Sequence, residues 1–187
     1  SISALEASLD MSNQGVVTLL SHWLSDLGFE CQIQPVADTR SKHNLLAKIG
    51  QGYGGLLLAG HTDTVPFDEG RWSQDPFTLT EKDNRWYGLG SCDMKGFFAL
   101  IIEAVMPLLD RPFRQPLLIM ATCDEESSMS GARALAEAGR PLGRAAVIGE
   151  PTGLRPVRLH KGIMMESIRL TGQSGHSSNP AYGNNAM

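Results

Sequence analysis

Six side chains able to bind a divalent cation or move a proton stand at four separated places: His61 and Asp63, Asp93, Glu125 and Glu126, and Glu150. Each place follows an apolar run or a glycine turn. His61-Thr-Asp63 follows Leu56–Ala59, and Asp93 follows Gly88-Leu-Gly90 and precedes an apolar stretch. Asp124-Glu125-Glu126 follows Leu117–Thr122, and Gly149-Glu150-Pro151 follows Ala145–Ile148. Ligands of open α/β sheets bind beyond the carboxyl ends of the strands, so these groups are expected to converge on one rim. Gathered there without compensation, so many anions repel, and one or two divalent cations resolve the conflict. One imidazole with several carboxylates suits zinc, cobalt or manganese. A carboxylate bridging two ions makes a two-metal hydrolytic centre, with the ions ~3.5–4 Å apart. Asp63, two residues after His61, is expected to accept the second imidazole N–H and fix the tautomer.

Taken singly, each residue has an ordinary explanation. Asp63 reads as a turn residue, Asp93 as a helix cap, Asp124–Glu126 as a solvated loop, and Glu150 before Pro151 as a turn. What separates them from background is that each cluster closes a predicted buried strand or turn.

Val16, Val17, Leu19, Leu20, Trp23, Leu24 and Leu27 recur at helical spacing, with Gly28 as the stop. Strands are expected at Cys31–Val36, Asn44–Ile49, Leu56–Ala59, Leu117–Thr122 and Ala145–Ile148, the last three read as buried. Phe77–Thr80 and Arg85–Tyr87 read as a short pair around Asp83-Asn84. Met94–Leu109 reads as a helix ended or kinked by Pro107, and Ser130–Gly139 as another. Met164–Leu170 alternates like a strand with one wet face, with Met164-Met165 as core filling. Buried strands alternating with helices imply an α/β sandwich with a mostly parallel sheet. Gly50-x-Gly52-x-x-Gly55 fits a dinucleotide pattern formally but leads into a strand, so it reads as a hairpin turn.

The chain has 187 residues, 42% hydrophobic and 19% charged, which suits one domain plus the start of a second. A net charge of −4 with no basic stripe argues against nucleic acid. No apolar stretch reaches the ~20 residues needed to span a bilayer, and no signal peptide opens the chain. Three cysteines without a CxxC pair point to a reducing compartment, hence to the cytoplasm.

His61-Thr-Asp63-Thr-Val-Pro66, Gly88-Leu-Gly90-Ser-Cys-Asp93-Met-Lys-Gly96, Asp124-Glu-Glu126 and Gly149-Glu-Pro-Thr152 resemble the M20 metallopeptidase family. Gly70-Arg-Trp72, Asp75–Thr80, Met94–Phe98, His160-Lys-Gly162 and Gly172–Ser178 resemble its deacetylase branch in particular. The resemblance implies a zinc-exopeptidase-like α/β/α sandwich over residues 1–155 and the start of an α+β lid and dimerisation domain over 156–187. It also implies two zinc ions, replaceable by cobalt, and hydrolysis of a small N-acylated amino acid by a homodimer. By the same resemblance His61 and Glu150 hold one ion, Asp93 bridges, and Glu126 holds the second. Glu125 is then the general base, Asp63 orients His61, and His176 reaches the neighbouring subunit's site. A cis peptide between Asp93 and Met94 is implied too, as is a further histidine ligand beyond Met187, so these 187 residues alone are expected to be inactive. A sibling activity, such as desuccinylation or dipeptide cleavage, and a non-catalytic metal-binding module are the alternatives.

Overall fold

Apolar residues at helical spacing form the first helix, α1 (Gln14–Asp26), which buries Val17, Leu20 and Leu24. Leu19 and Trp23, from the same periodic series, stay about half exposed. Gly28 takes φ +86°, the left-handed turn that ends the helix. The computed structural model of the chain describes residues 1–187 except 40, 140, 141, 160, 163 and 165.

The strands that follow are β1 (Glu30–Pro35), β2 (His43–Ile49), β3 (Leu56–His61), β4 (Thr80–Lys82), β5 (Arg85–Tyr87), β6 (Leu117–Thr122) and β7 (Ala145–Ile148). The main sheet has the order β1-β2-β6-β3-β7. The β1/β2 and β2/β6 pairs are antiparallel, and β6/β3 and β3/β7 are parallel. Four strands therefore run one way and β2 alone runs against them. The architecture is α/β with a mixed, mostly parallel sheet.

Among the described residues the further α-helices are α2 (Gly96–Val105) and α3 (Ser130–Glu137). One face of the sheet carries the larger core, where Val17 and Leu24 of α1 and Phe98, Ile101 and Val105 of α2 meet Leu45, Ala47, Ile119 and Ala121. Burying each Val, Leu, Ile or Phe side chain among them contributes roughly 1.5–3 kcal/mol. The opposite face holds a smaller cluster of Leu57, Ala59 and Leu118, with Leu142 packed against it.

Several sequence expectations are corrected. The Gly50–Gly55 segment is no hairpin, because β6 lies between β2 and β3. The turn carries the chain across a neighbouring strand. β4 begins at Thr80, three residues later than the expected Phe77. The Met94 helix starts at Gly96, and Pro107 sits in a 3₁₀ turn over Met106–Leu108. β7 is an edge strand with all four residues exposed, so its apolar composition does not mark burial.

The chain divides into two compact units, Ser1–Gly153 and Leu154–Met187. In the second, Gln173 and Asn184 pair through two backbone hydrogen bonds of 2.8 Å, and a 3₁₀ turn spans Pro180–Tyr182. No strand forms at the described residues of 164–170, and Met164, Ile168 and Leu170 are exposed. A period-2 pattern becomes a strand only beside an edge that takes its hydrogen bonds. Met164 is thus not core filling, while Met165 and His160 lie outside the described residues.

Candidate metal centre

Parallel pairing of β7, β3 and β6 puts their carboxyl ends at one edge, in the register Leu58↔Ile119 and Leu58↔Val147. His61 is the last residue of β3 and is buried. Beyond it, the Thr62 amide donates to the Thr122 carbonyl at 2.9 Å, and Thr62 Oγ1 donates to the same oxygen. Asn13, itself buried, gives its side-chain amide to Thr62 Oγ1 at 2.8 Å and to the His43 carbonyl at 2.7 Å. The strand end that presents the imidazole is therefore fixed from both sides. On the next strand, the Gly149 amide donates to the Ala59 carbonyl at 3.2 Å and carries Glu150 to the same rim. A Cβ on Gly149 would lie 2.2–2.4 Å from Phe97 ring carbons, so only glycine fits between α2 and Glu150.

The structure brings five of the predicted groups together. His61 Nε2 stands 3.2 Å from Asp93 Oδ1, 3.7 Å from Glu150 Oε1 and 3.9 Å from Glu125 Oε2. Ligand atoms of His61, Asp93 and Glu126 all lie within 4.8 Å of one another, as do those of His61, Glu125 and Glu150. The Asp93–Met94 peptide is cis. Burial and the nearby Asp93 carboxylate raise the Glu126 pKa; burial, with Asp93 and Glu125 beyond the opposing pull of His61, raises that of Glu150.

The donor set fits a divalent cation. His61 Nδ1 lies 3.0 Å from the Asp63 carbonyl, an acceptor, so Nδ1 carries a proton. In the neutral ring Nε2 is then a bare lone pair facing three carboxylates. A single proton on Nε2 leaves the four acids largely uncompensated, whereas one or two divalent ions satisfy both the lone pair and the charge.

Asp63 departs from expectation in an instructive way. Its backbone carbonyl, not its carboxylate, holds the imidazole, and the carboxylate stands 3.7 Å away from Nδ1. Instead the buried carboxylate accepts the backbone N–H groups of Glu125 at 3.3 Å and Glu126 at 3.1 Å. One residue thus ties the histidine strand to the two-acid turn. His176 belongs to the second unit, is exposed, and accepts the Ser178 Oγ–H at 2.7 Å on Nδ1. Asp93 precedes α2 without capping it.

Sequence reasoning missed the groups behind the rim. Lys42 is 2% exposed and pairs with Asp10 and Asp124, each at 2.7 Å. A lone lysine ahead of an apolar strand gives no periodic signal, and Asp124 was indistinguishable from its two acidic neighbours. Lys95 is a second near cation. Burial lowers its pKa against the raising pull of Asp63, Asp93 and Glu126.

Residues 57–182 match the model of peptidase family M20/M25/M40. The chain belongs to that family. It is 59% identical over all 187 residues to acetylornithine deacetylase of Klebsiella pneumoniae (strain 342) and, over the same span, to that of Shigella sonnei (strain Ss046). In each case it spans 49% of the relative's length, so the chain covers about half of the curated proteins it matches. Among solved structures it resembles an M20 family metallo-carboxypeptidase from Sulfolobus solfataricus, with a TM-score of 0.66 and 21% identity over 80% of this chain and 34% of that one. It also resembles human carnosine dipeptidase 1, with a TM-score of 0.63 and 24% identity over 73% and 32%. At these identities the likeness is one of fold. Among the described residues, no helix is long and apolar enough to cross a membrane, and the three cysteines are free.

Proposed function

We propose that the full-length protein is a zinc-dependent amidohydrolase that converts N2-acetyl-L-ornithine to L-ornithine and acetate, a step of arginine biosynthesis. The observation that carries this reading is the convergence of one imidazole and four carboxylates at the sheet's carboxyl edge. The 59% identity to acetylornithine deacetylases supports the choice of substrate.

His61 and Glu150 would hold one ion, Asp93 both, and Glu126 the second, with zinc native and cobalt able to replace it. The ions supply Lewis acidity for the acyl carbonyl and for the attacking water. Glu125 takes a proton from the water as its oxygen bonds to the acyl carbon. The same carboxyl then delivers that proton to the nitrogen as the C–N bond breaks, releasing acetate and a free amine. Asp63 keeps Glu125 and Glu126 on their marks. Residues 1–155 form the catalytic part and 156–187 the start of a lid and dimerisation domain. In a cytoplasmic homodimer His176 reaches the neighbouring subunit's site and steadies the developing oxyanion.

The test is to load the full-length protein with zinc or cobalt and compare ornithine release from acetylornithine with hydrolysis of succinyl-diaminopimelate. Turnover of ~1–10³ per second on the acetyl substrate, abolished by chelation, is expected. Faster hydrolysis of the succinyl substrate, or chelator-insensitive turnover, would overturn the reading.

A further inference from the structure

Behind the rim lies a buried polar cluster that the proposed reaction does not use. Asp124 Oδ1 accepts Lys42 Nζ at 2.7 Å and Ser3 Oγ at 3.0 Å, and Oδ2 accepts Ser130 Oγ at 2.7 Å. Ser3 also bonds Ser127, and Lys42 is held from its other side by Asp10 at 2.7 Å. Asp124 is 6% exposed. Its backbone takes φ +56°, a left-handed conformation uncommon outside glycine. Its carbonyl accepts the Met129 and Ser127 amides, closing the turn that contains Glu125 and Glu126.

We infer that Lys42 is a positioning residue for the two-acid turn, acting through Asp124. Three geometric facts carry this. Asp124 is the residue directly before the turn, so the direction in which Glu125 and Glu126 leave β6 depends on where Asp124 is pinned. The turn is gripped at two points only a residue apart: the Asp63 carboxylate holds its amides, and Lys42 with two hydroxyls holds its first side chain. Lys42 also cannot touch substrate at the rim. The groove it lines, about 550 Å³, includes Asp10, Asp124, Ser127 and Ser130 but none of His61, Asp93, Glu125, Glu126 or Glu150.

The charges explain why a lysine is needed. Burial opposes the Lys42 ammonium, but hydrogen bonds and charge from Asp10 and Asp124 outweigh it and raise its pKa. The Asp124 carboxylate is likewise buried and is met there by Lys42, Ser130 and Ser3. Removing the cation would leave the buried Asp124 facing the partly buried Asp10, and Asp124 would turn toward water and drag the turn with it.

This inference rests on the metal-centre reading, and its test separates the two. In full-length protein, Lys42→Met removes the charge, and Ser130→Ala removes one hydroxyl while leaving every charge, which keeps a folded variant in hand. Cobalt titration read by visible absorption reports the ion geometry without any substrate; kcat and KM on acetylornithine are measured per cobalt-loaded folded molecule. For Lys42→Met a fall of about 10–100-fold in cobalt affinity or kcat is expected, with a changed absorption band and a KM within about twofold. Ser130→Ala should show the same signature, smaller. Variants that are less stable but keep wild-type absorption, affinity and kcat per loaded molecule would overturn the inference and leave the metal centre standing. If wild-type protein binds no cobalt, both fall. If Lys42→Met does not fold, Ser130→Ala decides alone: a wild-type spectrum and kcat refute positioning through Asp124.

Discussion

Replacing Asp63 by asparagine keeps the side chain's size and removes its charge, so it isolates the grip on the two-acid turn. The carboxylate is 1% exposed and accepts two backbone N–H groups, at 3.3 and 3.1 Å. Hydrogen bonds to a charged acceptor contribute ~1.5–3 kcal/mol each, and these distances favour the lower end. The asparagine oxygen can keep one of the two N–H groups as a neutral bond. Its NH₂ then faces the other, a donor against a donor, and a buried N–H left unmet costs about 1–3 kcal/mol. The combined loss is about 2–4 kcal/mol. At 1.36 kcal/mol per decade this is a ~30- to 900-fold fall in kcat if the turn's position is wholly lost in the transition state. The assay is steady-state kinetics on full-length Asp63→Asn, with metal content and thermal unfolding measured on the same preparation. A kcat within about threefold of wild type at full metal content would refute the reasoning, because the amides would then be held without the carboxylate.

Glu125→Gln is expected to lower kcat by at least ~10²–10⁴-fold with metal content nearly unchanged; lost metal with full activity per bound ion would exchange the roles of Glu125 and Glu126. Gly149→Ala forces a Cβ into the Phe97 ring and is expected to cost about 1–3 kcal/mol of stability and to weaken metal binding. Adding Phe97→Leu should restore part of both, as calorimetry and metal titration will show. Cys123 is buried and its thiol is pushed up to about 11, whereas Cys92 is exposed. Iodoacetamide at neutral pH should therefore label Cys92 and spare Cys123 in the native protein, read by mass spectrometry. Lys42 has a raised pKa in the fold, so its contribution is complete below its ordinary 10.5 and is lost as pH rises through the higher folded value. Denaturant unfolding across that range should show a declining alkaline limb that is shallower in Asp10→Asn, and equal limbs would contradict the pairing.

The parts of this molecule that were legible in the sequence are those set by local pattern. The Leu56–Ala59 and Leu117–Thr122 runs are central strands, and the acids after them reach one rim. Partnership across the sheet left no such trace. Ala145–Ile148 has the same apolar texture yet lies at an edge, and Met164–Leu170 alternates without forming a strand at its described residues. Which neighbour a strand meets is decided by distant residues. The same holds at atomic scale. The sequence placed Asp63 beside His61, but a backbone turn decided that the carbonyl holds the ring and the carboxylate holds the acids. Lys42 stayed hidden because its two partners lie 32 and 82 positions away, at Asp10 and Asp124.

The pairing of β3 with β6 has a consequence for how the centre comes into being. Thr62 and Thr122, which lock the two strand ends, are 60 residues apart, and His61 and Asp93 are 32 apart. Among the described residues, no candidate ligand group falls within one short segment. Bringing such distant residues together costs loop-closure entropy that is repaid only when the strands pair, so the sheet must be largely assembled before the ligands meet. On the proposed reading, a divalent ion would not seed this fold as it seeds a zinc finger. It would arrive last, as a latch on a finished frame, and its retention would report that the strands had found their register.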